Sequence, residues 1–190
     1  MIDAGRARVA PNGPAPAAAG AAMVPRRKPW PGFLWRAGFA LLVLLGVGAY
    51  LTERFRLGYD DQDRQCLPPH RWFLIDRHDR DPARDALLAF AARGLAPYFD
   101  DGQTLIKRAA GLPGDRIQVG PQTVRINGEA VAEGLALAGT LARPPSAFFR
   151  DEPVPPGHLW MMGATADSFD SRYWGFLPHR QVIGRAYGLW

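Results

Sequence analysis

Two lysines stand among 21 arginines in this chain of 190 residues, at Lys28 and Lys107. An arginine serves wherever a fixed positive charge is wanted, but it cannot give up its proton in a protein; a lysine can. Lys107 lies in Thr104-Leu105-Ile106-Lys107, a short apolar run that leads into the turn Gly111-Leu112-Pro113-Gly114-Asp115. It is therefore a candidate general base, and the competing reading is a leftover charge on a solvated strand. A base serves acyl transfer only beside a nucleophile and an oxyanion site. Serine occurs only at Ser146, Ser168 and Ser171, all after Lys107, and Cys66 is the single thiol. Cys66 precedes Leu67-Pro68-Pro69, on a stretch stiffened by proline. A thiol that passes its proton to an amine attacks as thiolate, whereas a lone cysteine can equally be an inert core residue. Ser168 lies in a second polar stretch with Asp170-Ser171-Arg172; it either belongs to a plain turn or hydrogen-bonds and orients the lysine amine. Asp170 and Arg172 fit a scaffold turn in which they pair with each other or with the backbone.

These residues need a frame. Gly 21 and Pro 18 favour a turn-rich β architecture over a helical bundle. Trp72–Ile75, the stretch from Thr104 that carries Lys107 up to the Pro113-Gly114 turn, His158–Met162 and the segment Gln181–Trp190 are expected strands. Arg116–Val119 and Thr123–Ile126 alternate polar and apolar residues, and Asn127-Gly128 follows them as a hairpin signal, so this part reads as a β-meander. Gly134–Phe149 reads as loop with some strand, and Pro153–Gly157 as a proline-rich turn. For the stretch after Asp81-Pro82, local propensity favours a helix closed by Gly94.

The N-terminal third differs. Residues 1–29 are rich in Ala, Gly and Pro without apolar periodicity and read as a disordered tail. Phe33–Leu51 carries one charge, Arg36, and spans about 28 Å as a helix, close to a hydrocarbon core. Arg26-Arg27-Lys28 precede it, which puts the tail in the cytoplasm and the rest outside. Val47-Gly48-Ala49 leaves a cleaved signal sequence as the alternative. The basic cluster next to an apolar run points to membrane lipid rather than nucleic acid. Thr52–Gln65 reads as a polar linker leaving the bilayer. The net charge is +5, no internal disulfide can form from one cysteine, and His70, His78, His158 and His179 lack metal-ligand spacing, so neither metal nor cofactor is expected.

Taken together, Ile106-Lys107-Arg108-Ala109-Ala110-Gly111-Leu112-Pro113-Gly114-Asp115 resembles the lysine box of the type I signal peptidases. Ser168-Phe169-Asp170-Ser171-Arg172-Tyr173-Trp174-Gly175-Phe176, followed by Val182-Ile183-Gly184-Arg185-Ala186, resembles their C-terminal box. The resemblance covers Cys66 to Trp190. It implies a mainly β fold: a single domain of small antiparallel sheets or a partial barrel at 53–190, behind one transmembrane helix at 30–52. It implies an endopeptidase that removes signal peptides after small residues, with Lys107 as base, Ser168 as its orienter, and Asp170 and Arg172 in support. It also implies that Ala83–Phe90 is a strand, against the local helix propensity.

Two departures qualify the match. The family's serine nucleophile is here Cys66, one residue before proline, a spacing similar to the conjugal-transfer (TraF-type) branch that matures pilin subunits. Gly163-Ala164-Thr165-Ala166 replaces the family's Gly-Asp-Asn-Arg, with one residue fewer before Ser168, and Arg64 stands where a hydroxyl assists the oxyanion site. The expected partners are exported, prepilin-like precursors and the lipid of a bacterial inner membrane, with the catalytic domain periplasmic and no nucleic acid. The alternative is an inactive family member that acts as an assembly component of a secretion machine.

Overall fold

The computed structural model describes residues 30–189, so the tail expected at 1–29 lies outside the described residues. The chain divides into two units, 1–42 and 43–190. Helix α1, Trp30–Arg54, is 25 residues long, buries none of its side chains in protein, and is long and apolar enough to cross a membrane.

The second unit is mainly β, and every strand pairing in it is antiparallel. Its strands are β1 Phe55–Tyr59, β2 Trp72–Asp76, β3 Leu87–Ala91, β4 Thr104–Gly111, β5 Arg116–Val119, β6 Thr123–Ile126, β7 Glu129–Glu133, β8 Arg150–Pro153, β9 His158–Met162, β10 Leu177–Pro178 and β11 Val182–Gly188. A seven-stranded sheet has the order β1-β2-β11-β3-β4-β9-β10, and a four-stranded sheet the order β7-β6-β5-β8. The first sheet packs two cores, one around Leu88, Phe90, Leu159 and Met161 and one around Phe73 and Ile75. The second sheet packs Ile117, Val124 and Ile126 against Trp160, Met162 and Tyr173.

Of the Ala83–Phe90 region only Leu87–Phe90 lie in a strand, β3, with a turn at Arg84–Asp85 before it, and no part is the helix that local propensity favours. Leu88, Ala89 and Phe90 are all buried, and pairing with β4 and β11 outweighs a helix preference worth only tenths of a kcal/mol per residue. The meander appears as expected, with Asn127 at φ 52° and Gly128 at φ 86° closing a two-residue turn between β6 and β7. The expected linker Thr52–Gln65 is corrected: α1 continues to Arg54, and Phe55–Tyr59 is an edge strand paired with β2. Arg150–Pro153 is likewise an unexpected edge strand beside β5. Gly134–Phe149 holds turns and a 3₁₀ turn at Pro145–Phe148, with no strand.

The Pro113-Gly114 turn that ends β4 is tied down by Asp115. Its carboxylate accepts from the Leu112 amide (2.7 Å), Asn127 Nδ2 (2.7 Å) and the Arg84 guanidinium (2.9 Å). Burial alone would raise its pKa, but these donors outweigh burial and hold it below the usual carboxylate range. Its contribution is therefore complete above the unfolded pKa, about 3.9, and is lost as pH falls through the lower folded value. Asp115→Asn is expected to lower the melting temperature at pH 7, and its deficit against wild type is expected to close below about pH 3. Thermal scans across pH check this; a deficit that stays constant to acid contradicts it.

Candidate active site

Lys107 occupies the middle of β4, opposite Leu88 of β3, and is only 4% exposed. Alternation along β4 turns Leu105, Lys107 and Ala109 inward together, so an amine-bearing side chain sits at a position that a strand ordinarily gives to a core residue. A buried amine needs a partner, and Lys107 Nζ has one in Ser168 Oγ at 2.9 Å. Ser168 is fully buried.

Ser168 is delivered by the loop after β9. Met162 pairs with Arg108, so one further step of that register sets Gly163 beside Lys107. Gly163 must lack a side chain: a Cβ there would overlap the Ser168 side chain and come within 3.2 Å of the Cys66 carbonyl oxygen. That carbonyl accepts from the Ala164 amide at 2.8 Å, which ties the Cys66 loop to the Ser168 loop. Gly163→Ala is therefore expected to cost about 1–3 kcal/mol of stability by overpacking. It is also expected to lower activity more than Ala164→Gly does. Urea unfolding and a cleavage assay on both variants measure it; an unaltered Gly163→Ala protein refutes the packing argument.

Asp170 and Arg172 form a fully buried bidentate pair, Nε to Oδ1 at 2.8 Å and Nη2 to Oδ2 at 2.9 Å. Asp170 also caps the short helix α2, Ser171–Trp174, through the Arg172 amide and accepts from the Gly163 amide at 3.0 Å. Arg172 Nη2 reaches the carbonyls of Thr165 (3.2 Å) and Ser168 (3.1 Å). Burial disfavours the Arg172 charge, but the Asp170 carboxylate outweighs this and raises its pKa. The pair clamps the loop that presents Ser168 and touches neither Lys107 nor Cys66 through a hydrogen bond.

Cys66 lies half-buried on the β1–β2 loop, anchored by the buried Leu67. It shares a cleft of about 180 Å³ with Lys107, walled by Gly58, Phe73, Phe99 and Ile106 and edged by Asp60, Asp61 and Gln62. The thiol donates to Gln62 Oε1 at 3.8 Å, not to Lys107 Nζ. The Cys66 backbone N–H has no acceptor among the described residues. Arg64, expected in place of an oxyanion hydroxyl, pairs with Asp167 at 3.1 Å. Of the residues singled out in the sequence, the structure brings Lys107 to Ser168 and Asp170 to Arg172, and it leaves the Cys66 thiol without a hydrogen bond to Lys107. Gln62, Gly163 and the Arg64–Asp167 pair are additional. Gln62 comes to the thiol through a turn in which its amide bonds Asp60 Oδ1 (3.1 Å), and no local motif marks it.

An antiparallel β body behind one apolar helix, with a buried lysine and a thiol on one cleft, is matched by the family model described as signal peptidase, peptidase S26, over residues 32–190; the chain belongs to that family. It is 32% identical over 151 residues to the probable signal peptidase I-2 of Synechocystis sp., which covers 78% of this chain and 67% of that one. It is 31% identical over 141 residues to the conjugal transfer protein TraF of Agrobacterium fabrum, 74% of each chain. A solved signal peptidase I of Enterococcus faecalis V583 aligns at 28% identity over 56% of this chain and 97% of that one, with a TM-score of 0.36.

Proposed function

We propose that this chain is a membrane-anchored endopeptidase that cleaves exported precursors after small residues through a Cys66/Lys107 dyad. Conjugative pilin or other secretion-system subunits are the precursors this reading favours. The observation that carries it is Lys107 itself: a buried amine, fixed by Ser168 at 2.9 Å, on the same cleft as the only thiol.

In this mechanism Cys66 Sγ attacks the scissile carbonyl carbon while Lys107 Nζ takes the thiol proton. The unused Cys66 amide N–H donates to the developing oxyanion. Lys107 returns the proton to the leaving amine, which leaves a thioester on Cys66. Lys107 then takes a proton from water as its oxygen attacks the thioester carbon; the carbon–sulfur bond breaks, and Lys107 gives the proton to Cys66 Sγ, which restores the thiol and the neutral amine. Ser168 keeps the amine aimed at the cleft, and Asp170 with Arg172 keeps Ser168 in place.

The anchor reading places the N-terminus in the cytoplasm and the β body in the periplasm, against the inner membrane. It gains support from the outer face of β1, β2 and β11. Leu57, Leu74 and Tyr187 stand in register there, with Tyr59 opposite Trp72 one row on. Leu57 is 63% and Tyr59 54% exposed, and β1 begins at the residue after α1. Aromatic and aliphatic side chains so close to a span suit the interfacial layer of a bilayer.

One observation favours a second reading, an inactive assembly component: the thiol bonds Gln62 instead of Lys107. A chloromethyl ketone peptide ending in Ala-x-Ala separates the two. Selective alkylation of Cys66, slowed by Lys107→Met, is expected for the peptidase. Labelling no faster than that of a scrambled peptide supports the inactive component.

A further inference from the structure

The β body has another cavity, of about 360 Å³, distinct from the dyad cleft. It is in the size range of ligand sites. Its walls are aromatic: Phe90, Phe148, Phe169, Tyr173, Trp174 and Phe176. Its only charged lining residues are Arg93 and Arg143; the Asp101 carboxylate does not line it but accepts from the lining Gly94 amide at 2.8 Å. Neither arginine pairs with an acid among the described residues. The Arg143 guanidinium lies over the Phe148 ring, 4.9 Å from its centroid. Trp174 Nε1 is buried without an acceptor. The dyad cleft has the opposite character, with Asp60 and Asp61 on its edge.

The two cavities share a wall. Tyr98 lines the aromatic cavity and the next residue, Phe99, lines the cleft. Phe169 lines the cavity and follows Ser168, which holds Lys107. Phe99 stacks on Phe169 with centroids 5.9 Å apart, and Tyr98 packs on the same ring at 5.2 Å. A polypeptide lying in the cleft therefore has a second recess on the far side of one pair of rings.

We propose that the aromatic cavity is an exosite for the same precursor. It takes a ring side chain of the precursor, phenylalanine or a similar residue, next to a carboxylate. The ring fills the aromatic walls, and the carboxylate meets Arg93 and Arg143. This rests on the peptidase reading above, and it names a feature of the substrate away from the scissile bond. Arg93 and Arg143 select against a lysine or arginine beside the ring.

The test uses full-length protein in detergent and three peptides with one Ala-x-Ala site. They carry Phe-Asp, Phe-Lys or Ala-Ala about six residues from the site on either side, roughly 20 Å of extended chain. Wild type is expected to cleave the Phe-Asp peptide with kcat/KM at least about fivefold above the Phe-Lys peptide, mainly through KM. Arg93→Glu/Arg143→Glu is expected to abolish or invert that preference while leaving the Ala-Ala peptide unchanged. Equal cleavage of all three peptides by wild type overturns the exosite and leaves the dyad standing. A fluorescein-labelled Phe-Asp peptide gives a readout that does not need turnover. Arginine-dependent binding with no cleavage of any peptide overturns the peptidase reading and keeps the cavity as a peptide site. Arginine-dependent binding with charge-blind cleavage assigns the cavity to a different partner and overturns the proposal.

Discussion

Lys107→Met is expected to leave a folded protein whose kcat/KM on an Ala-x-Ala precursor is lower by about 10²–10⁴-fold, the usual contribution of a positioned general base. The fold should survive because Met nearly matches the lysine stem in volume, and swaps of that kind in a core cost under about 1.5 kcal/mol. The added cost is a Ser168 hydroxyl left without its partner at a fully buried position, about 1–3 kcal/mol. Cys66→Ala removes the nucleophile and is expected to lose more than Lys107→Met, and the double variant no more than Cys66→Ala alone, because the two groups act in one step. Cys66→Ser tests how far the base can activate a harder nucleophile; its residual activity should depend on Lys107 completely. Cleavage of an exported precursor in membranes and of a fluorogenic peptide in detergent gives both numbers. A Lys107→Met protein within tenfold of wild type removes the lysine from the chemistry.

That lysine was legible for a compositional reason. In a chain that writes nearly every cation as arginine, a lysine in an apolar run is conspicuous, and its burial on β4 follows from the alternation of that run. Ser168, Asp170 and Arg172 were legible through the resemblance of residues 168–176 to the C-terminal box of the signal peptidases. The meander was legible because its alternation and its Asn-Gly turn agree. Strand β1 was not. Its apolar residues Leu57 and Tyr59 face outward, so the segment lacks the buried face that gives a strand its pattern, and only pairing with β2 defines it. Strand β8, Arg-Asp-Glu-Pro, has the charged composition suited to a sheet edge and so reads as loop. Partners brought from a distance were also hidden. Arg64 meets Asp167 across 103 positions, and nothing near either residue announces the other.

Asp170→Asn is expected to destabilise the β body by about 3–5 kcal/mol, the range for breaking one side of a buried ion pair. Both side chains are fully buried, so water cannot compensate the guanidinium that remains. Asn presents an NH₂ where a carboxylate oxygen now accepts, and the groups around it are donors: the Gly163 amide, the Arg172 amide and the Arg172 side chain. Donor then faces donor at one of these contacts. Arg172→Met is expected to cost less, because Asp170 would keep its two backbone donors while Arg172 gives up only carbonyl acceptors and its partner. The Asp170→Asn/Arg172→Met double variant is therefore expected to be more stable than Asp170→Asn alone, since no uncompensated charge is left in the core. Denaturant unfolding of the four proteins in a double-mutant cycle yields the coupling directly. The same loop carries Ser168, whose carbonyl accepts from Arg172, so activity should fall with Asp170→Asn even where the protein is still folded, through a lower kcat at unchanged KM. Additive single effects, or an Asp170→Asn protein within about 1 kcal/mol of wild type, would show that the pair is dispensable to the loop that positions the lysine.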